Sequence, residues 1–137
     1  MSASDNRDPL RMRLGIKRRW IQTLDDSVDD QLVGAPFLAM RRNGVWKYSA
    51  LGLLTLTMNI KPEIIKLGRS SIWMVEGETC YLAPRVLALA GIGPQRGPSI
   101  AKLAIDSKRL VHGYDLKSLS EMGYSFSKLA DIIEEQL

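Results

Sequence analysis

The chain has 137 residues, of which 45% are hydrophobic and 25% charged, so it is one domain's worth of globular composition and wholesale disorder is excluded. Its longest nearly apolar run, residues 50–58, contains two threonines and falls far short of the ~20 residues that cross a bilayer. The formal net charge is +4, the single cysteine (Cys80) excludes a disulfide within the chain, and the single histidine (His112) excludes a histidine-based metal cluster.

Residues 1–12 read as a polar, basic arm and 13–137 as a single globular domain. No apolar stretch follows the N-terminus, so no signal peptide is expected. Arg7, Arg11, Arg13, Lys17, Arg18 and Arg19 face only one acid, Asp8, in that stretch. Leu14, Ile16, Trp20, Ile21 and Leu24 recur at helical spacing and predict an amphipathic helix over 13–24 anchored by Trp20. The acids Asp25, Asp26, Asp29 and Asp30 are expected to end it. Residues 37–42 and 45–48 flank Asn43-Gly44, the strongest short-range hairpin signal, because both turn residues tolerate positive φ.

Residues 50–58 alternate like a strand in their second half, yet the whole run reads better as a buried helix. Pro62, Glu63, Ile64, Ile65 and Leu67 predict one or two helical turns closed by Gly68. A second hairpin is expected from 71–75 and 79–82, with Gly77 in its turn and Cys80 in its return strand. Pro84 at the start and Gly91 at the stop frame a short buried helix. A glycine- and proline-rich loop over 91–98 and a short helix over 99–105 follow. Asp115 reads as the N-cap of a helix over 116–122, with Gly123 ending it. Ser125 caps the last helix, whose Phe126, Leu129, Ala130, Ile133 and Leu137 form one apolar stripe. The expected fold is α+β: several short helices packed around two β-hairpins.

Chemistry is hard to place on this chain. Leu89-Ala90-Gly91-Ile92-Gly93-Pro94 has the Gly-apolar-Gly turn with which helix-hairpin-helix modules aim backbone N–H groups at a phosphate. Pro98 falls where the second helix of such a module would already run, so the segment reads as a helix stop followed by a loop. His112 has no serine elbow or activated-cysteine motif around it, and Cys80 lies in an expected strand between Thr79 and Tyr81 without a signal for a lowered pKa. The acidic cluster lacks the order of a calcium loop. No catalytic residue, metal site or cofactor is expected, and the chain reads as non-enzymatic.

Binding is better supported. Arg7, Arg11, Arg13, Lys17 and Arg18 in the arm and first helix, with Arg41, Arg42, Trp46, Tyr48 and Arg69 around the hairpins, are the candidate partner-binding residues. Arginine, tryptophan and tyrosine are the residue types enriched at interface hot spots. The same residues leave two other partners open: a nucleic acid gripped by the basic stretch 7–19, and a small anionic nucleotide held in a pocket shared between copies of the chain. The basic arm, with Arg7, Arg11 and Arg13, is expected to contact another chain.

The order of motifs resembles a loose family of short phage and prophage proteins. It runs from Arg18-Arg19-Trp20-Ile21 through a glycine-turn hairpin to Leu51-Gly52-Leu53-Leu54, then Tyr81-Leu82 with Pro84 and Ala90-Gly91-Ile92. It closes on Gly123-Tyr124-Ser125-Phe126-Ser127-Lys128-Leu129-Ala130-Asp131-Ile132-Ile133. Where members carry cysteines around the Leu-Gly run and an Asn-Asp pair before the final glycine, this chain has Ser49, Ala50, Thr55 and Glu121-Met122. An activity resting on those residues would not carry over. The resemblance implies phage origin, the host cytoplasm and no reaction. The function it leaves is an accessory protein that binds a host macromolecule, a protein first, and modulates it by inhibition.

Overall fold

A computed structural model describes residues 12–103 and 114–137. Helix α1 (Leu14–Asp26) buries Lys17, Trp20 and Leu24 on one face and leaves Arg18 and Arg19 outside. It runs two residues into the acidic cluster, because Asp25 and Asp26 are exposed and Gln22 donates to Asp26 one turn later. A 3-10 turn (Val28–Asp30) takes up the remaining acids. Strands β1 (Ala39–Arg42) and β2 (Val45–Tyr48) form the expected hairpin, with Asn43 at φ 53° and Gly44 at φ 76° as its two turn residues.

Residues 50–58 are helical: α2 (Ala50–Thr57) starts where the Ser49 hydroxyl accepts from the Gly52 N–H and is buried from Ala50 to Thr55. Residues 62–67 are a strand, not a helix. β3 (Glu63–Leu67) pairs antiparallel with β4 (Ser70–Met74) around Gly68-Arg69, and Gly68 takes the positive φ that this turn needs. The second hairpin therefore lies one segment earlier than the sequence suggests. Residues 79–82 form no strand, and a lone Val75–Glu78 bridge closes the Glu76-Gly77 turn. Beyond it the chain leaves the sheet, because Thr79 accepts from the Leu38 N–H, and Leu82 donates to Pro98 while its side chain is buried. Cys80 is accordingly a half-buried loop residue. The four strands form one antiparallel sheet in the order β2-β1-β4-β3.

Helix α3 (Pro84–Ala90) has Pro84 in its first turn and Gly91 at φ 77° as its left-handed stop. Residues 99–103 are not helical. Ile100 and Lys102 hold positive φ, Leu103 bridges to Tyr114, and the Arg96 guanidinium takes the carbonyls of Ala101 and Lys102 that a helix would have used. Residues 104 and 105 of that expected helix lie outside the described residues. Asp115 caps α4 (Leu116–Glu121) and Ser125 caps α5 (Phe126–Gln136), each through its side-chain oxygen.

The main core lies between the helices. Trp20 is fully buried and its indole N–H donates to the Ala50 carbonyl at 3.0 Å. Helix α1 packs on α5 and α2, and α4 packs on α2 and α5. Met12 is buried with its N–H on the Leu137 carbonyl, which ties the start of the described chain to its end. A smaller cluster, Leu32, Ala35, Met40 and Ile72 with Phe37 against it, covers one face of the sheet. The other face carries Trp46, Tyr48 and Trp73, and Tyr48 joins it to the main core.

Candidate binding surface

The ten candidate residues fall into separate groups. Arg7 and Arg11 lie outside the described residues. Arg13 is exposed at the N-cap of α1, and Arg18 is exposed one turn on. Lys17 lies between them but points inward: it is 8% exposed and its ammonium donates to the Glu134 carbonyl at 2.8 Å. The other five, Arg41, Arg42, Trp46, Tyr48 and Arg69, all belong to the sheet or its turns.

Strand pairing brings those five together. β1 and β4 run antiparallel with Arg41 opposite Ser71, so the Asn43-Gly44 and Gly68-Arg69 turns sit at the same end of the sheet. Cross-strand partners share a face, and the register therefore lines up Trp46, Arg41, Ser71 and Lys66 across all four strands. Arg42 and Arg69 stand at the two tips. Arg41, Arg42, Lys66 and Arg69 are exposed, and none of their side chains makes a hydrogen bond or ion pair with another described residue. The nearest acid on these strands, Glu63, is at the far end of β3. Val45 and Leu67, half exposed, lie at the same end on the opposite face, the face of Arg42.

Behind this row lie the aromatic rings. Trp73 is buried at 6% exposure, with its ring centroid 6.0 Å from that of Trp46 and 5.3 Å from that of Tyr48. Tyr48 packs against the main core, Trp73 is buried against the other two rings, and Trp46 remains half exposed. Burial first, and the Asp30 carboxylate second, hold the Tyr48 phenol above its ordinary range. Lys47 on the opposite face is engaged by the Asp29 carbonyl and Asp30 carboxylate. Lys66 and Trp73 were not among the sequence candidates. Period-two alternation would have placed Lys66 beside Arg41, but only once 63–67 is read as a strand.

Gly91-Ile92-Gly93 ends α3 and leads into a single 3-10 turn (Pro94–Arg96), not a second α-helix, and the N–H groups of Gly91 and Ile92 are bonded to Ala88 and Leu87. The segment is a helix stop followed by a loop. A mostly apolar groove of about 530 Å³ runs between α3 and the 94–98 loop, with Tyr81 and Pro98 on its walls. Among the described residues no His, Cys, Asp or Glu cluster could hold a metal ion, and no helix is long and apolar enough to cross a membrane. His112 lies outside the described residues.

No family model, curated protein or solved structure matches the chain. The fold and surface define a small single-domain α+β protein whose sheet ends in basic side chains without a partner among the described residues.

Proposed function

We propose that the chain is a non-enzymatic binding protein that docks the hairpin end of its sheet on an acidic protein surface. One observation carries this reading. The sheet register sets Arg41 and Lys66 on one face with the half-exposed Trp46, and Arg42 and Arg69 stand at the two turns of the same end. None of these four side chains has a partner among the described residues. An unpaired arginine loses no internal contact when it meets a carboxylate, and the bidentate bond it can form is among the strongest available to a side chain. Trp46, backed by the rigid rings of Trp73 and Tyr48, supplies the apolar anchor such an interface centres on. Val45 and Leu67, at the same sheet end on the opposite face, add apolar contact that a phosphate backbone would not use. Following the phage resemblance, the partner is a host protein whose activity the docking inhibits.

The test is a parallel capture from host lysate with the natural chain and with an Arg41→Gln, Arg69→Gln variant. A stoichiometric protein held by the first, lost by the second and indifferent to nuclease supports the reading. A protein held equally by both overturns it, as does recovery of no partner. Binding of a single-stranded oligonucleotide that falls steeply with salt and is lost in the same variant would move the assignment to nucleic acid.

A further inference from the structure

Strand β3 (Glu63–Leu67) is an outer strand, and among the described residues nothing pairs with its free edge. All five of its residues are exposed, including Ile64 (58%), Ile65 (36%) and Leu67 (49%). Native edges are usually blunted by short length, charged side chains, proline or a bulge, because open N–H and C=O groups template further pairing. Of these, β3 has its five-residue length and the charges of Glu63 and Lys66. β3 has no internal proline and pairs with β4 residue for residue, without a bulge.

The turn determines which of its backbone groups are open. Gly68 and Arg69 form a two-residue turn with Gly68 at φ 63°, so Leu67 and Ser70 close it as a hydrogen-bonded pair. Alternation then directs the N–H and C=O groups of Leu67, Ile65 and Glu63 toward β4, and those of Lys66 and Ile64 toward the free edge. Two copies of β3 related by a twofold axis normal to the sheet keep their faces continuous, which restricts the register to steps of two.

The register centred on Ile65 places Ile64 opposite Lys66 of the second copy, twice, and satisfies every open group with four backbone hydrogen bonds. Ile65 meets its own copy in the closely spaced, non-hydrogen-bonded position, and Leu67 lies opposite Glu63. No like charges face each other within that ladder. Centring on Ile64 would set Lys66 against Pro62, which has no N–H to return, and centring on Lys66 would oppose two ammonium groups. We infer that β3 pairs antiparallel with β3 of a second copy, in the register centred on Ile65, joining two sheets into one of eight strands.

Past each end of the ladder, Lys61 nears Arg69 of the second copy with only Glu63 between them. Salt screens that residual repulsion, so the self-association tightens as salt rises. Docking on an acidic partner weakens under the same change, which separates the two surfaces experimentally. A ladder of five residues is small beside the ~1,200 Å² of a stable interface, so a dissociation constant of about 10–500 µM is expected.

Sedimentation equilibrium between about 10 µM and about 1 mM should show the mass rising from one copy toward two. A monomer throughout overturns the inference. In a Cys80→Ser background, Ile65→Cys should oxidise to a covalent dimer, since facing Cβ atoms at such a position lie within disulfide reach. Ile64→Cys in the same background should not. Equal cross-linking at both positions, or at 64 alone, also overturns it. Ile65→Lys opposes two ammonium groups on the axis and should return the protein to monomer with its melting curve unchanged. A dimer that survives this change sinks the proposed pairing.

Discussion

A methyl group at position 52 would lie 1.9 Å from the Leu38 carbonyl oxygen and 2.7 Å from its carbon. That carbonyl accepts from both the N–H and the hydroxyl of Ser49, the residue that caps α2, so it is held where it is. Gly52 is therefore the point at which α2 meets the chain leading into β1, and backbone contact of this kind admits no Cβ. Gly52→Ala should destabilise the fold by about 3 kcal/mol, the upper end for overpacking, read as a lowered denaturant midpoint. An unchanged midpoint would mean the two backbones are not in contact. Tyr48 gives a second residue-level test. Its folded pKa is raised above the ordinary value of 10.0, so the unfolded chain loses the proton first. Its contribution to stability is intact below that pH and declines as pH climbs from there through the folded pKa. Tyr48→Phe should remove this part of the alkaline decline, and stability curves that stay parallel from neutral to alkaline pH would refute the assignment.

Between elements, α5 does the most to close the molecule. Phe126, Leu129 and Ile133 are fully buried, and Lys17 of α1 holds the Glu134 carbonyl near its C-terminus. Phe126→Ala should cost ~3–5 kcal/mol. Deleting residues 126–137 should abolish cooperative unfolding, which calorimetry would show as loss of the transition. Helix α5 was legible in the sequence because its cap and its stripe are local: Ser125 and the apolar spacing need no other part of the chain. The same holds for Asp115 before α4 and for Asn43-Gly44. β3 was not legible, because Pro62 and Gly68 punctuate a short helix and a hairpin alike, and five residues are too few to reveal a period. What decides for the strand is β4, a partner outside the window. Residues 99–103 were misread for a similar reason, since Arg96 withdraws the carbonyls of Ala101 and Lys102 from helical bonding. The binding surface was half legible. Arg41, Arg42, Trp46 and Arg69 stand out by type, but their convergence depends on the pairing of β1 with β4, and Lys66 was hidden by the helical reading of its segment.

Across the whole molecule, charge is divided between groups that hold the fold and groups held in reserve. Lys17 and Arg96 are examples of the first: one ammonium bonds the Glu134 carbonyl, and one guanidinium reaches the carbonyls of Ala101, Lys102 and Gln136. Through them α1 and the 94–103 loop are both tied to the C-terminal turn of α5, where carbonyls lack helical partners and cations are favoured. Arg41, Arg42, Lys66 and Arg69 are the second kind, with exposed side chains that bond to no described residue. Stability and binding should therefore separate cleanly by position. Lys17→Met keeps the apolar stem but removes the donor, leaving the Glu134 carbonyl without this bond, and should cost about 1–3 kcal/mol. The Arg41→Gln, Arg69→Gln pair should move stability by no more than about 0.5 kcal/mol while weakening capture of an acidic partner. Thermal melting and partner capture, measured on both proteins, give the full comparison. If the sheet variant melts early while Lys17→Met does not, the cations at the hairpin end hold the fold, and that surface is not kept for a partner.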